Sequence, residues 1–137
     1  MELEIRELND EEVEFIEERL DDFNKDYIRY ELQGRIRIGA FHGDRLIAGV
    51  DASMTAFKIL YLSTFFVEEE YRSRGIGRKL MDVVERQAKA LGANMIRLDT
   101  FDWQGRHFYR SMDFEEVGSY TNEVDGFSEH FFLKRLY

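Results

Sequence analysis

Residues 59–81 read ILYLSTFFVEEEYRSRGIGRKLM. The first nine, Ile59 to Val67, are β-branched, aromatic and apolar at successive positions. That pattern predicts a central strand covered on both sides. Three acids, Glu68 to Glu70, interrupt it. A cationic turn follows, with Arg72, Arg74, Arg78 and Lys79 gathered around Gly75 and Gly77. Ile76, Leu80, Val83, Val84 and Leu91 then recur at helical spacing, and Gly92 supplies a stop. In a strand–turn–helix the first N–H groups of the helix lack intrahelical partners and point outward together, where the helix dipole adds partial positive charge. Glycines there remove Cβ atoms, so an anion can approach the backbone, and the arginines add charge-assisted bonds at its rim. The geometry suits a pyrophosphate. Two common phosphate motifs do not fit. No GK followed by Ser or Thr is present, and Leu80 stands where a GxGxxG fingerprint needs its third glycine.

Outward from this turn, the segment LEIREL alternates Leu3 and Ile5 and predicts a strand. Asn9 and Glu12 are spaced as a capping box, and Val13, Ile16, Leu20, Phe23 and Tyr27 form an amphipathic stripe behind it. RIRIGAF and RLIAGVDASM flank HGD, a hairpin signal. NMIRLDTF predicts a strand and DWQGRHFYRSM a short helix. FEEVGSY and SEHFFLKRLY predict a last antiparallel pair across NEVDG. The expected order is β-α-β-β-β-α-β-α-β-β: an α/β fold with a mixed sheet of about six to seven strands and helices on its faces.

The bulk composition narrows the function classes. At 137 residues, without a linker, repeat or low-complexity tract, the chain is expected to be one domain, 1–137. It has no cysteine, so no thiolate nucleophile, disulfide or Cys-type zinc site. Its net charge of −9 argues against general nucleic-acid binding, which needs a broad basic face. No apolar run reaches membrane-spanning length, and the acidic start is unlike a secretory signal; a cytoplasmic protein is expected.

RSRGIG, Arg72 to Gly77, resembles the [Q/R]-x-x-G-x-[G/A] signature of the GCN5-related N-acetyltransferases, and it lies between a strand and a long helix, as in that family. DTFDWQGRHFYRSMDFEEVG, Asp99 to Gly118, resembles the family's strand–helix–strand block, with Phe108–Tyr109 as its F-Y pair and Phe114 as its closing aromatic. Asp102 stands where the family has asparagine, and is expected to cap the helix in its place. Asp113 stands where the family has glycine, a position that asks for a left-handed backbone.

The resemblance implies acetyl-CoA as acyl donor, no metal, and an amine of a small molecule or peptide as acceptor. His42, His107 and His130 have no ligand-like spacing. The implied donor site has three parts. The exposed backbone of Phe65, Phe66 and Val67 would pair with pantetheine, and the Val67 N–H would polarise the thioester carbonyl. The amides of Arg74, Gly75, Ile76, Gly77, Arg78 and Lys79, with Arg72 and Ser73, would hold the pyrophosphate. Tyr109 would meet the departing sulfur, and Asp102 would lie near the cofactor arm. Glu68 is the first candidate for the base that strips the acceptor ammonium; Asp99 and Asp51 come behind it. Tyr27, Tyr30 and Glu31 fall where the family's acceptor-binding segment begins. Most other aromatics (Phe57, Phe101, Phe127, Phe131, Phe132) read as core or strand faces, with Trp103 on the rim. The competing function is a non-catalytic acyl-CoA sensor. The chain is expected to be a monomer or a homodimer, with the aromatic last strand as the candidate pairing edge.

Overall fold

The computed structural model describes residues 1–29 and 33–137, in two compact units, Met1–Tyr30 and Glu31–Tyr137. Tyr30 and Glu31 lie outside the described residues.

In the first unit α1 spans Asp10–Asn24. The capping box forms as the spacing predicts: the Glu12 amide donates to Asn9 Oδ1 at 2.8 Å and the Asn9 amide to Glu12 Oε1 at 3.1 Å. Asp10, Glu11 and Glu12 occupy the first turn, where the helix dipole favours them. The expected strand at Leu3–Leu8 is not formed. Among the described residues of this unit the one regular element is the helix.

The second unit is a six-stranded mixed sheet in the order β1-β2-β3-β4-β6-β5. β1 (Arg35–His42) and β2 (Arg45–Met54) form the hairpin across Gly43, whose φ of 64° is left-handed. β3 (Ile59–Val67) leads through a short 3-10 turn, Glu69–Tyr71, into α2 (Ile76–Ala90). β4 (Met95–Phe101), α3 (Arg106–Ser111), β5 (Glu115–Asn122) and β6 (Phe127–Arg135) complete the chain. β3 and β4 pair in parallel, as the intervening helix requires.

One face of the sheet is covered. Leu80, Met81, Val84 and Ala88 of α2 are buried in a core with Ile36, Val50, Leu60, Ile96 and Phe132. The opposite face carries Tyr61, Arg97 and Asp99. β3 is therefore not buried on both sides as its composition predicts. Leu60 and Leu62 are buried, whereas Ser63, Thr64 and Phe66 are exposed. A register shift opposite Asp51/Ala52 adds an extra residue to β3, so Phe65 and Val67 are re-aimed and pack against the core. Phe132 is 1% exposed at the centre of this core. Phe132→Ala is expected to destabilise the fold by about 3–5 kcal/mol, read by urea denaturation.

β6 runs between β4 and β5, so both of its edges are paired and it is unavailable as a dimer edge. The free edges belong to β1 and β5. Among the described residues no helix is long and apolar enough to cross a membrane.

Candidate active site

The parallel ladder between β3 and β4 ends at Tyr61↔Arg97, yet β3 continues to Val67 and β4 to Phe101. The two strands diverge, and a cavity of about 850 Å³ opens between them and extends to the start of α2. Residues of β3 (Phe65, Phe66, Val67), the turn (Arg72, Ser73, Gly75, Ile76, Gly77, Arg78), β4 (Asp99, Thr100) and α3 (Phe108, Tyr109) line it.

The backbone directions along β3 follow from the antiparallel alternation. The Glu68 N–H bonds to the Ile47 carbonyl at 2.8 Å, so Glu68 and Phe66 face β2. Phe65 and Val67 therefore turn their N–H and C=O groups toward the gap. Of the three residues expected to present backbone to a ligand strand, Phe66 does not. The Val67 carbonyl already accepts from Arg72 Nε at 2.9 Å, and the Val67 N–H points into the cavity.

Two positive-φ residues shape the turn: Ser73 at 62° and Gly75, the N-cap of α2, at 80°. Gly75 gives no side-chain cap and the first turn holds no acid, so the N–H groups of Ile76, Gly77 and Arg78 are left for an anion. The expected cradle extends one residue too far, since the Lys79 amide bonds to the Gly75 carbonyl at 3.1 Å. The side chains of Arg74 and Lys79 line a separate hollow with His42 and Tyr71, not this cavity.

The two glycines serve different purposes. A Cβ at Gly75 would meet nothing within 4 Å, so its requirement is conformational. A Cβ at Gly77 would stand 3.1 Å from the Phe108 ring, so this glycine admits α3 against α2. Gly75→Ala is expected to cost about 1–2 kcal/mol, read as a lower denaturation midpoint.

Tyr109 lies on α3, 7% exposed, against Phe65, Phe114 and Phe132. Burial, with a smaller contribution from the Asp99 charge, pushes its hydroxyl pKa up to about 12. Asp99 accepts from Tyr61 Oη at 3.0 Å. Of the other candidate bases, Glu68 is not among the cavity residues. Asp51 is held by Arg35 in a two-point fork at 2.9 and 3.0 Å, and that hydrogen bond lowers its pKa. Trp103, 69% exposed, stacks on Phe101 with centroids 4.9 Å apart and reaches the cavity rim.

Asp102 differs from expectation. The N-cap of α3 is Gly105, and Asp102 does not cap the helix. Its Oδ2 accepts the Ser128 N–H at 2.7 Å and its Oδ1 faces His130, away from the cavity. The start of α3 is tied to β4 instead by Gln104 and Thr100, through Phe101 N to Gln104 Oε1 at 2.7 Å and Gly105 N to Thr100 Oγ1 at 3.3 Å. Asp113 does adopt the left-handed backbone, with φ 67°. Phe57, with φ 61°, sits in a turn and is exposed rather than core.

A diverging parallel strand pair, with open amides of a helix start at one end and a buried tyrosine at the other, leaves a gap that can take an extended chain with an anionic end. The chain belongs to the acetyltransferase (GNAT) family, whose model matches residues 3–114. Its fold is shared by an acetyltransferase from Bacillus cereus ATCC 14579, at 27% identity and TM-score 0.87 over 97% of both chains. A protein provisionally described as an acetyltransferase, from Agrobacterium tumefaciens, matches at 25% identity and TM-score 0.78 over 98% of this chain and 99% of that one. An aminoglycoside 6'-N-acetyltransferase solved with coenzyme A shares the fold at 19% identity and TM-score 0.67, over 94% of this chain and 82% of that one. A comparison with curated proteins finds no significant match.

Proposed function

We propose that this protein is an N-acetyltransferase that moves the acetyl group of acetyl-CoA onto an amine of a small molecule or peptide by direct attack on the thioester. The observation that carries this reading is that a single cavity gathers the open amides of α2, the backbone of Val67, Asp99 and Tyr109. The solved neighbour that acetylates an aminoglycoside supports an amine acceptor. The pyrophosphate rests on the Ile76, Gly77 and Arg78 amides with the Arg72 and Arg78 side chains at its rim, and pantetheine follows the gap-facing backbone of Phe65 and Val67.

In the reaction the amine nitrogen attacks the carbonyl carbon, and the Val67 N–H donates to the oxygen as it gains negative charge. An alkylamine with a pKa of about 10.4 arrives protonated and must give up that proton. Asp99 takes it, in preference to Glu68, because it lines the cavity beside Tyr109. The C–S bond then breaks, Tyr109 donates a hydrogen bond to the departing sulfur, and the extra proton on the acylated nitrogen passes to the thiolate, which leaves as the free thiol. Thiol release from acetyl-CoA with a panel of amines and peptides tests the proposal. Acceptor-dependent thiol release is expected. Binding of coenzyme A without thiol release for any amine would overturn the enzyme reading and leave the sensor.

A further inference from the structure

Behind α3 the fold holds a polar cluster that the reaction above does not use. His130, on β6, is 6% exposed. Its Nδ1 contacts Glu116 Oε1 of β5, and its Nε2 lies 2.7 Å from Asp102 Oδ1 in the β4–α3 turn. Two α3 arginines complete the cluster. Arg106 Nη1 is 3.2 Å from His130 Nε2, and Arg110 Nη2 donates to Glu116 Oε2 at 2.8 Å. The bond to His130 is the largest cause holding the Asp102 pKa low. Burial pushes Glu116 up, but its bonds with Arg110 and His130 outweigh that and hold it low as well. Carboxylates accept only, so the imidazole is the donor wherever it meets them.

We propose that His130 is a positioning residue for acetyl transfer: it clamps the start of α3 onto β5 and β6 and thereby holds the Tyr109 hydroxyl against the gap. α3 has only six residues and no side-chain cap, so it cannot fix its own orientation. On the cavity side it is tied by Thr100 and Gln104. On the far side it is tied through Asp102 to His130 and through Arg110 to Glu116, and Arg106 Nη1 lies 3.8 Å from the Asp102 carboxylate that His130 holds. Asp102 is thus a charge turned away from the donor site and held by the imidazole. Without His130 two carboxylates lose a donor, and the helix that carries Tyr109 loses the centre of its support. The diphosphate amides lie on α2 and are untouched.

The consequence for turnover rests on the acetyltransferase reading, and the clamp itself does not. His130→Phe and His130→Gln, compared with wild type, separate the two. Hydrogen exchange of the ligand-free protein is expected to quicken in the α3 segment and to stay unchanged in α2. Coenzyme A affinity is expected within about twofold, while kcat falls by about 10- to 100-fold in the Phe variant and less in the Gln variant, because a misplacement of about 1 Å is enough for such a loss. Unchanged α3 exchange would overturn the clamp. Parallel loss of coenzyme A affinity and kcat, or an equal loss of kcat in the Phe and Gln variants, would overturn the positioning role. Quickened α3 exchange with no thiol release even from wild type would keep the clamp and overturn the enzyme reading.

Discussion

Tyr109→Phe lowers kcat about 100-fold or more and leaves coenzyme A affinity within about twofold, as measured by steady-state thiol release and titration calorimetry. The magnitude is that of a positioned acid, and the ring, which packs against Phe65, Phe114 and Phe132, is retained in the variant. With a pKa of about 12 the hydroxyl is neutral throughout the working range. A free thiol titrates near 8.5, so complete proton transfer to a relaxed thiolate would run uphill by about 5 kcal/mol. In the proposed reaction Tyr109 therefore acts by donating a hydrogen bond that strengthens as charge builds on sulfur. The sign of the linkage follows. Folding raises this pKa, so the stabilisation of the neutral phenol is complete below the unfolded value of about 10 and is lost as pH rises through about 12. No alkaline limb of the activity profile below about pH 10 belongs to Tyr109. Turnover unchanged in the phenylalanine variant would remove Tyr109 from the chemistry.

Asp99→Asn is expected to reduce kcat/KM for the amine by about 100-fold at neutral pH, with much of the loss recovered when the pH is raised toward that of the free amine, because the acceptor then arrives already deprotonated. Asparagine keeps the size of the side chain and can still accept from Tyr61 Oη, so the loss isolates the charge. The same variant takes away one of the two causes that raise the Tyr109 pKa, while burial remains the larger. A loss of equal size at every pH would assign Asp99 to holding the acceptor, not to taking its proton.

Much of the fold is legible in local chemistry. The turn from Arg72 to Gly77, the capping box of Asn9 and Glu12, the hairpin at Gly43 and the stop at Gly92 are backbone requirements met by adjacent residues, and each forms where the sequence places it. The uncapped start of α2 is legible for the same reason. What depends on a distant partner is not. LEIREL has a strand pattern, but alternation does not supply the partner that a strand needs. β3 looks buried throughout because apolarity cannot reveal that β4 leaves it after Tyr61. Arg74 and Lys79 share the turn with Arg72 and Arg78, yet they line another hollow. His130 meets Asp102 and Glu116 only because β6 lies between β4 and β5, and no spacing along the chain announces it. In the proposed reaction Asp99 stands before Glu68 as the base on cavity geometry alone, since both are acids near strand ends in the sequence.

The start of α2 gripping a diphosphate, and so feeding a thioester into the gap between β3 and β4, is the premise of everything above. Titration calorimetry of the intact protein with coenzyme A, set against pantetheine, which lacks the diphosphate, tests it most directly. One-to-one binding of coenzyme A and at least a tenfold weaker association of pantetheine are expected. No heat of association with coenzyme A, or equal affinity for the two, would contradict it.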